Sequence, residues 1–286
     1  MTLDNNILTV DIAPQGAEPV SIRHNGREYL WNGDARFWNR HAPILFPVVG
    51  KPYRNELHIH GETLTMKQHG FARDSHFEEL GDGRMRMVGN TNTQQYPYRF
   101  ALEVHYRIDG SALVATWRVE NQDTVDMYFQ IGAHPGFMLP DYNPADTMHG
   151  YVRYYDRNGN PIAPVIVSAL DDGNRVALKA AKRVPSEMPI TAETFAHDAL
   201  IFENQQVATA ELCDKQGRRV LSVSCTQAEA YGIWAPHKEG CPFVCLEPWC
   251  GICDAKGFVG DIAERTYSHR LAPQESYLFT YTVQLY

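Results

Sequence analysis

Residues 98–121, YRFALEVHYRIDGSALVATWRVEN, decide the fold. Phe100, Leu102, Val104, Tyr106 and Ile108 fall on one side of an alternating pattern, and Arg99, Glu103, His105 and Arg107 on the other. Asp109-Gly110 is a turn dipeptide, after which Leu113, Ala115, Trp117 and Val119 resume the apolar side. Successive side chains of an extended chain point to opposite faces. The pattern therefore predicts an antiparallel hairpin with one buried and one wet face.

Outward from this hairpin the period of two returns. Residues 207–226 predict a second hairpin, turning through Asp214-Lys215-Gln216-Gly217. Tyr277, Phe279, Tyr281, Val283 and Leu285 predict a C-terminal strand. Shorter strands are expected at 21–29, 57–66, 127–131, 199–202, 232–235 and 243–247, and long loops at 136–143 and 156–174. Helical periodicity is confined to short turns around 186–197. Many short strands between Gly, Asn, Asp and Pro turns give an all-β chain, a large antiparallel β-sandwich or a barrel with few short helices. No repeat or linker-like segment interrupts it, so residues 1–286 are expected to form a single domain.

Composition narrows the partners. The formal charge is −8 and no long run of Lys or Arg occurs, which argues against nucleic acid. No apolar stretch approaches the roughly 20 residues that span a bilayer, and the N-terminus lacks the pattern of a signal peptide. A cytoplasmic protein, without a membrane partner and acting on a small molecule as monomer or homodimer, is the expectation. All six cysteines lie between Cys213 and Cys253, unlike a disulfide framework, and are read as reduced thiols.

Polar residues interrupt apolar strand ends in four places: Arg40-His-Ala-Pro-Ile-Leu-Phe-Pro-Val-Val-Gly-Lys51, Gln68-His-Gly-Phe-Ala-Arg73, Ile131-Gly-Ala-His-Pro-Gly-Phe137 and Val244-Cys-Leu-Glu-Pro-Trp249. A fifth, less distinctive segment is Phe195-Ala-His-Asp-Ala-Leu-Ile-Phe202. Each sets a charged residue or histidine where a strand meets a loop, the usual place for binding groups. Glu247 stands out among apolar and aromatic neighbours, where a carboxylate must be paired, hydrogen-bonded or shifted in pKa. His134, by itself, reads first as a histidine capping a strand end.

Together and in this order, these segments resemble the aldose 1-epimerase (galactose mutarotase-like) family. They are closest to its LacX-like branch, which also carries an Ala-Pro-Ile-Leu-Phe-Pro segment, here 42–47. The resemblance runs from about Arg40 to Asp254. It implies a galactose mutarotase-like supersandwich and an isomerase that interconverts the α and β anomers of an aldose or hexose phosphate. By position in their motifs, His134 resembles the general acid and Glu247 the general base. His69 resembles a second cleft histidine, and Asp198 an aspartate that accepts hydrogen bonds from sugar hydroxyls. Arg73, Lys51 and Trp249 are further candidates for substrate binding. Lys51 stands where many relatives have Arg, so the bidentate fork is lost. No cofactor is implied.

The residue types suit such chemistry. Moving protons both ways needs one acid and one base with pKa values near the working pH. Trp234 and Phe137 are additional rings that can stack on a sugar face, and Arg40 serves either the cleft or the fold. Rival readings are a metal or redox site in the Cys241, Cys245, Cys250 and Cys253 cluster, a metal at His58-Ile-His60, and a non-catalytic sugar-binding protein on the same fold. A serine hydrolase lacks its G-x-S-x-G elbow.

Overall fold

In a computed structural model, residues 1–89 and 96–286 are described. The decisive hairpin forms as expected: strands Phe100–Asp109 and Ala112–Asn121 pair antiparallel, with Val104 opposite Trp117. They lie inside a nine-stranded sheet. From one edge to the other its strands are 187–189, 151–155, 209–213, 219–224, 276–285, 112–121, 100–109, 84–89 and 78–81.

Register carries the sequence pattern into a core. Met85, Val104, Trp117 and Phe279 pair in turn across four strands and are all fully buried. Trp117 stacks on Phe279 with ring centroids 5.2 Å apart and meets Tyr281 edge-on at 5.3 Å. Cross-strand aromatic pairs of this kind are the unit of sheet stabilisation.

A six-stranded sheet packs against this face. Its path runs 200–202, 230–234, 243–250, 131–133 and 44–45, and strand 136–138 also pairs with 243–250. Phe202, Tyr231, Ile233, Val244, Leu246, Ile131, Ala133 and Phe137 join the residues of the large sheet in one core. Tyr231 also donates its hydroxyl to the Val223 carbonyl at 2.9 Å, tying the sheets together. The result is a large antiparallel β-sandwich. A four-stranded N-terminal sheet (2–4, 8–12, 19–24, 27–28) and three two-stranded ribbons complete it. Three short 3₁₀ turns, at 53–55, 72–74 and 262–264, are the helical elements among the described residues. No helix among those residues is long and apolar enough to cross a membrane.

The structure amends several expectations. The segments 21–29 and 57–66 are hairpins rather than single strands, turning at Asn25-Gly26 and His60-Gly61. Residues 127–131 divide between two sheets. The expected loops contain strands Gly136–Met138 and Val165–Asp171, and the turns near 186–197 flank a short strand at Glu187–Pro189. Turn dipeptides inside an alternating run, and strands of two or three residues, give too short a period to read.

Removing the central ring should be costly. Trp117→Ala is expected to lower unfolding free energy by about 3–5 kcal/mol in urea denaturation, with the m-value unchanged.

Candidate active site

The outer face of the six-stranded sheet, opposite the core, carries the site. Gly132 pairs with Trp249 and Gly136 with Cys245. Four positions separate these pairs on both strands, so His134 falls directly opposite Glu247. Pro135 keeps the two short strands in that register by accepting the Leu246 N–H at 3.1 Å. Period-two alternation then puts Cys245, Glu247 and Trp249 on one face with His134. Across the other edge of strand 243–250, Glu247 faces Gly232. A methyl group there would meet the Trp249 ring at 2.6 Å, so only glycine lets the indole lie beside Glu247.

His69 arrives from a different direction. Its N–H donates to the Gly50 carbonyl at 2.8 Å, and its carbonyl accepts from Phe46 N–H at 3.3 Å. Gly70 follows at φ +70°, where a Cβ would lie 2.1 Å from the Phe46 oxygen. These constraints turn the His69 ring towards His134, edge to face, with centroids 5.5 Å apart. The Gly50 N–H donates to His69 Nδ1 at 3.0 Å, which fixes the neutral tautomer with its proton on Nε2. Burial, then the charge of Arg73, holds the His69 pKa well below the ordinary histidine value.

Together these groups line a cavity of about 330 Å³, with Arg73, Gln68, Asp198, Trp234, Trp249 and Trp38 in its wall. A larger recess of about 570 Å³ lies between Phe71, Met87 and Phe100, but among the described residues no buried titratable group lines it. His134 Nε2 stands 3.1 Å from Glu247 Oε2. Neither Glu247 oxygen, nor His134 Nδ1, finds a well-aligned hydrogen-bond partner among the described residues. Glu247 is only 1% exposed. Burial, reinforced by the nearby Asp198 charge, pushes its pKa well above the carboxylate range. Burial likewise lowers His134 to about 3. Both groups resist charge because the surroundings cannot solvate it.

Aromatic rings enclose His134. Trp38 stacks on it at 4.9 Å and 30°, and Trp234 meets it edge-on at 5.6 Å. Trp38 is held in turn by its stack on Phe243 and by the Trp31 Nε1–H, which donates to its carbonyl at 2.8 Å. Beneath the cavity a buried ion pair joins Arg265 to Asp254 at 2.9 Å. Asp254 also accepts from Tyr53 N–H, linking the loop after Gly50 to the segment after Cys250.

Of the residues read from sequence, the fold brings His134, Glu247, His69, Arg73, Asp198 and Trp249 to one cavity. Asp198 is exposed at its rim, at φ +73°, with the Ala199 N–H donating to its Oδ1 at 2.8 Å. Arg73 donates to the Gln68 carbonyl at 2.6 Å and is lowered to about 10 by burial and by Arg40. Lys51 stands outside, in an adjoining recess, bonded to Asp172 at 2.7 Å. Phe137 lies in the core on the opposite face, and Arg40 pairs with Asp74 at 2.8 Å on the flank. Sequence reading passed over Trp38, which precedes the first motif by two residues; its one signal was proximity to that motif.

The cysteines are free thiols. Cys250 points to the core and Cys253 to the cavity, so the C-x₂-C spacing does not make a pair. Among the described residues, two triads have donor atoms within 4.8 Å of one another: His134, Cys245 and Glu247, and Glu229, Cys250 and His269. Burial and the adjacent Glu247 raise the Cys245 thiol, which disfavours the thiolate a soft metal would need. His58 lies beside Thr63, 3.0 Å from its hydroxyl, and His60 beside Tyr98.

Comparison with known proteins gives the family and the fold. The aldose 1-epimerase family model matches residues 1–284. The chain belongs to the aldose 1-epimerase family. It is 27% identical over 265 residues to the chromosomal LacX protein of Lactococcus lactis subsp. lactis, covering 87% of each chain. Among solved structures it resembles a galactose mutarotase-like protein from Lactobacillus casei (TM-score 0.88, 27% identity, 100% and 99% of the two chains). It also resembles a galactose mutarotase related enzyme from Lactobacillus acidophilus (TM-score 0.87, 28% identity, 100% and 97%). In this family setting the sandwich is of the galactose mutarotase-like type.

Burial of the pair has a pH signature. Folded Glu247 holds its proton while the unfolded carboxyl ionises near 4.5, so its contribution to stability falls as pH rises above that value. His134 acts in the opposite sense, losing stability as pH falls from 6.5 towards 3. Glu247→Gln is therefore expected to melt higher than the unmodified chain at pH 8, with the gain shrinking towards pH 4. Differential scanning calorimetry across that range checks it.

Proposed function

We propose that this aldose 1-epimerase family member catalyses the interconversion of α and β anomers, with His134 as acid and Glu247 as base. The observation that carries this reading is their placement: directly opposite in register, 3.1 Å apart, at the wall of a sugar-sized cavity. Two buried titratable groups with no other ion-pair partner among the described residues fit proton traffic better than they fit stability.

The pair carries one mobile proton. With a cyclic sugar bound, Glu247 as carboxylate removes the proton from the anomeric hydroxyl, and protonated His134 donates to the ring oxygen. The bond between C1 and the ring oxygen breaks, leaving an aldehyde. The proton now resides on Glu247 and His134 is neutral. After rotation about C1–C2, the hydroxyl attacks the other carbonyl face. His134 takes its proton and Glu247 returns one to the new anomeric oxygen, so the pair ends as it began.

The pKa directions are those of the open-chain state, with Glu247 protonated and His134 neutral. Hydrogen bonds from sugar hydroxyls to the Glu247 carboxylate offset the cost of charging it, since such bonds are about twice as strong as neutral ones. Stacked Trp38 supports the imidazolium from one side through its ring quadrupole. In this reading His69 donates through Nε2, Asp198 accepts from hydroxyls at the rim, and Arg73 and Trp249 contact the ring.

Magnetisation-transfer NMR of anomeric exchange, over a panel of aldoses and hexose 6-phosphates, tests the proposal. Each proton transfer contributes about 10²–10⁴-fold. Glu247→Gln and His134→Asn should therefore each drop exchange to the spontaneous rate while retaining saturable sugar binding. Binding without acceleration by the unmodified chain would instead make it a sugar-binding protein. Because the chemistry requires only protons, exchange is expected to survive prolonged dialysis against EDTA; loss restored by added zinc would contradict it.

A further inference from the structure

One buried sulfur lies beside two polar groups that the acid–base chemistry does not use. Strand Phe243–Cys250 ends at Cys250, which is fully buried and, by alternation, points to the face away from Glu247. His269 opens the short strand His269–Leu271, and Glu229 directly precedes strand Ala230–Trp234. The three offer a sulfur, a nitrogen and an oxygen donor, all within 4.8 Å of one another. Glu229 Oε2 stands 3.0 Å from His269 Nε2.

The fold positions each donor. Glu229 N–H donates to the Trp249 carbonyl at 2.8 Å, which sets its side chain beside Cys250, and its carbonyl accepts from Gln205 N–H at 2.9 Å. His269 pairs with Phe129, and its ring is flanked by Tyr277 at 4.6 Å and by Phe129 at 5.7 Å. The Tyr277 hydroxyl donates to Cys250 Sγ at 3.3 Å, the kind of outer contact that orients and tunes a metal ligand. The His269 and Glu229 side chains are 20% and 19% exposed. The triad is therefore open to solvent on their side and closed by the sulfur on the other.

Donor type and charge select the ion. Bonds of about 2.0–2.3 Å place the donors around a tetrahedral zinc about 3.3–3.8 Å apart, so shifts of about 1 Å bring the triad to that spacing. Sulfur with imidazole favours zinc over magnesium or calcium, which seek oxygen. Left alone, Cys250 stays a thiol, because burial and then the neighbouring Cys225 raise its pKa. A zinc ion displaces that proton to solvent, and its two charges match the thiolate and the Glu229 carboxylate. At the His134, Cys245 and Glu247 triad two protons would have to leave, since Glu247 holds one as well.

We propose that Glu229, Cys250 and His269 form a zinc site, with water in the fourth position. Binding forms one zinc–sulfur, one zinc–nitrogen and one zinc–oxygen bond, releases the thiol proton and moves no electrons. The ion joins three pieces of chain that are separate in sequence and stabilises the sandwich where they meet. It lies on the other face of strand 243–250 from the acid and base.

The test uses the full chain, kept reduced, stripped of metal with EDTA and then freed of the chelator. Titrated with Zn²⁺ against a chromophoric chelator, it should bind one ion per chain. Co²⁺ should give a sulfur-to-cobalt charge-transfer band, absent in Cys250→Ser and retained in Cys245→Ser. Glu229→Gln and His269→Gln, at partly exposed positions, should each weaken zinc binding at least about tenfold with unchanged circular dichroism. Zinc should raise the melting temperature of the unmodified chain and leave that of Cys250→Ser where it was. No zinc binding, a cobalt band that survives Cys250→Ser, or one lost in Cys245→Ser instead would overturn the inference. Should Cys250→Ser fail to fold, the two partly exposed variants decide, and unchanged zinc affinity in both overturns it.

Discussion

His134 faces Glu247 because two short strands on either side of Pro135 keep one register against strand 243–250. The rest of the site depends on that pairing. A carboxyl and an imidazole at this separation, both shielded from water, cannot both be charged independently of each other. Desolvation drives each towards neutrality, and the proton that one releases the other can accept. The sheet supplies the geometry and the loops supply the shielding, with Trp38 on one side of the imidazole and the clamped His69 turn on another.

The centre of the large sheet was legible because its strands 100–109, 112–121 and 276–285 are long and alternate, whereas its outer strands 78–81, 84–89, 151–155 and 187–189 are short and went unread. Ten residues at Phe100–Asp109 and ten at Ala112–Asn121 leave no ambiguity of period. The six-stranded sheet was harder to read. Strand Phe243–Cys250 is buried on both faces, so apolar residues run through it without alternation, and Ile131–Ala133 and Ile44–Leu45 are too short to show any. The same burial that hides this strand from periodicity made Glu247 conspicuous, as a lone carboxyl in an apolar run.

For the site, local sequence marked which residues matter and left their assembly open. His134 alone read first as a capped strand end; its position opposite Glu247 emerges only from pairing across more than a hundred residues. Trp38, marked only by its nearness to the first motif, and the recess were passed over for the same reason. Nothing within a few residues of Trp38 indicates that it will lie on an imidazole, and Lys51, expected in the cleft, is drawn outside it by an aspartate 121 positions away. Long-range contacts of this kind are fixed by topology, which a single sequence states indirectly.

The central claim is that burial gives Glu247 and His134 one proton between them, resting on Glu247 at neutral pH. Carbon-13 NMR of labelled glutamate carboxyls, with the Glu247 signal assigned by its loss in Glu247→Gln, measures this directly. The account predicts one carboxyl that still carries its proton at pH 7, when the exposed glutamates have ionised. A Glu247 signal that titrates with them, near 4.5, would contradict it.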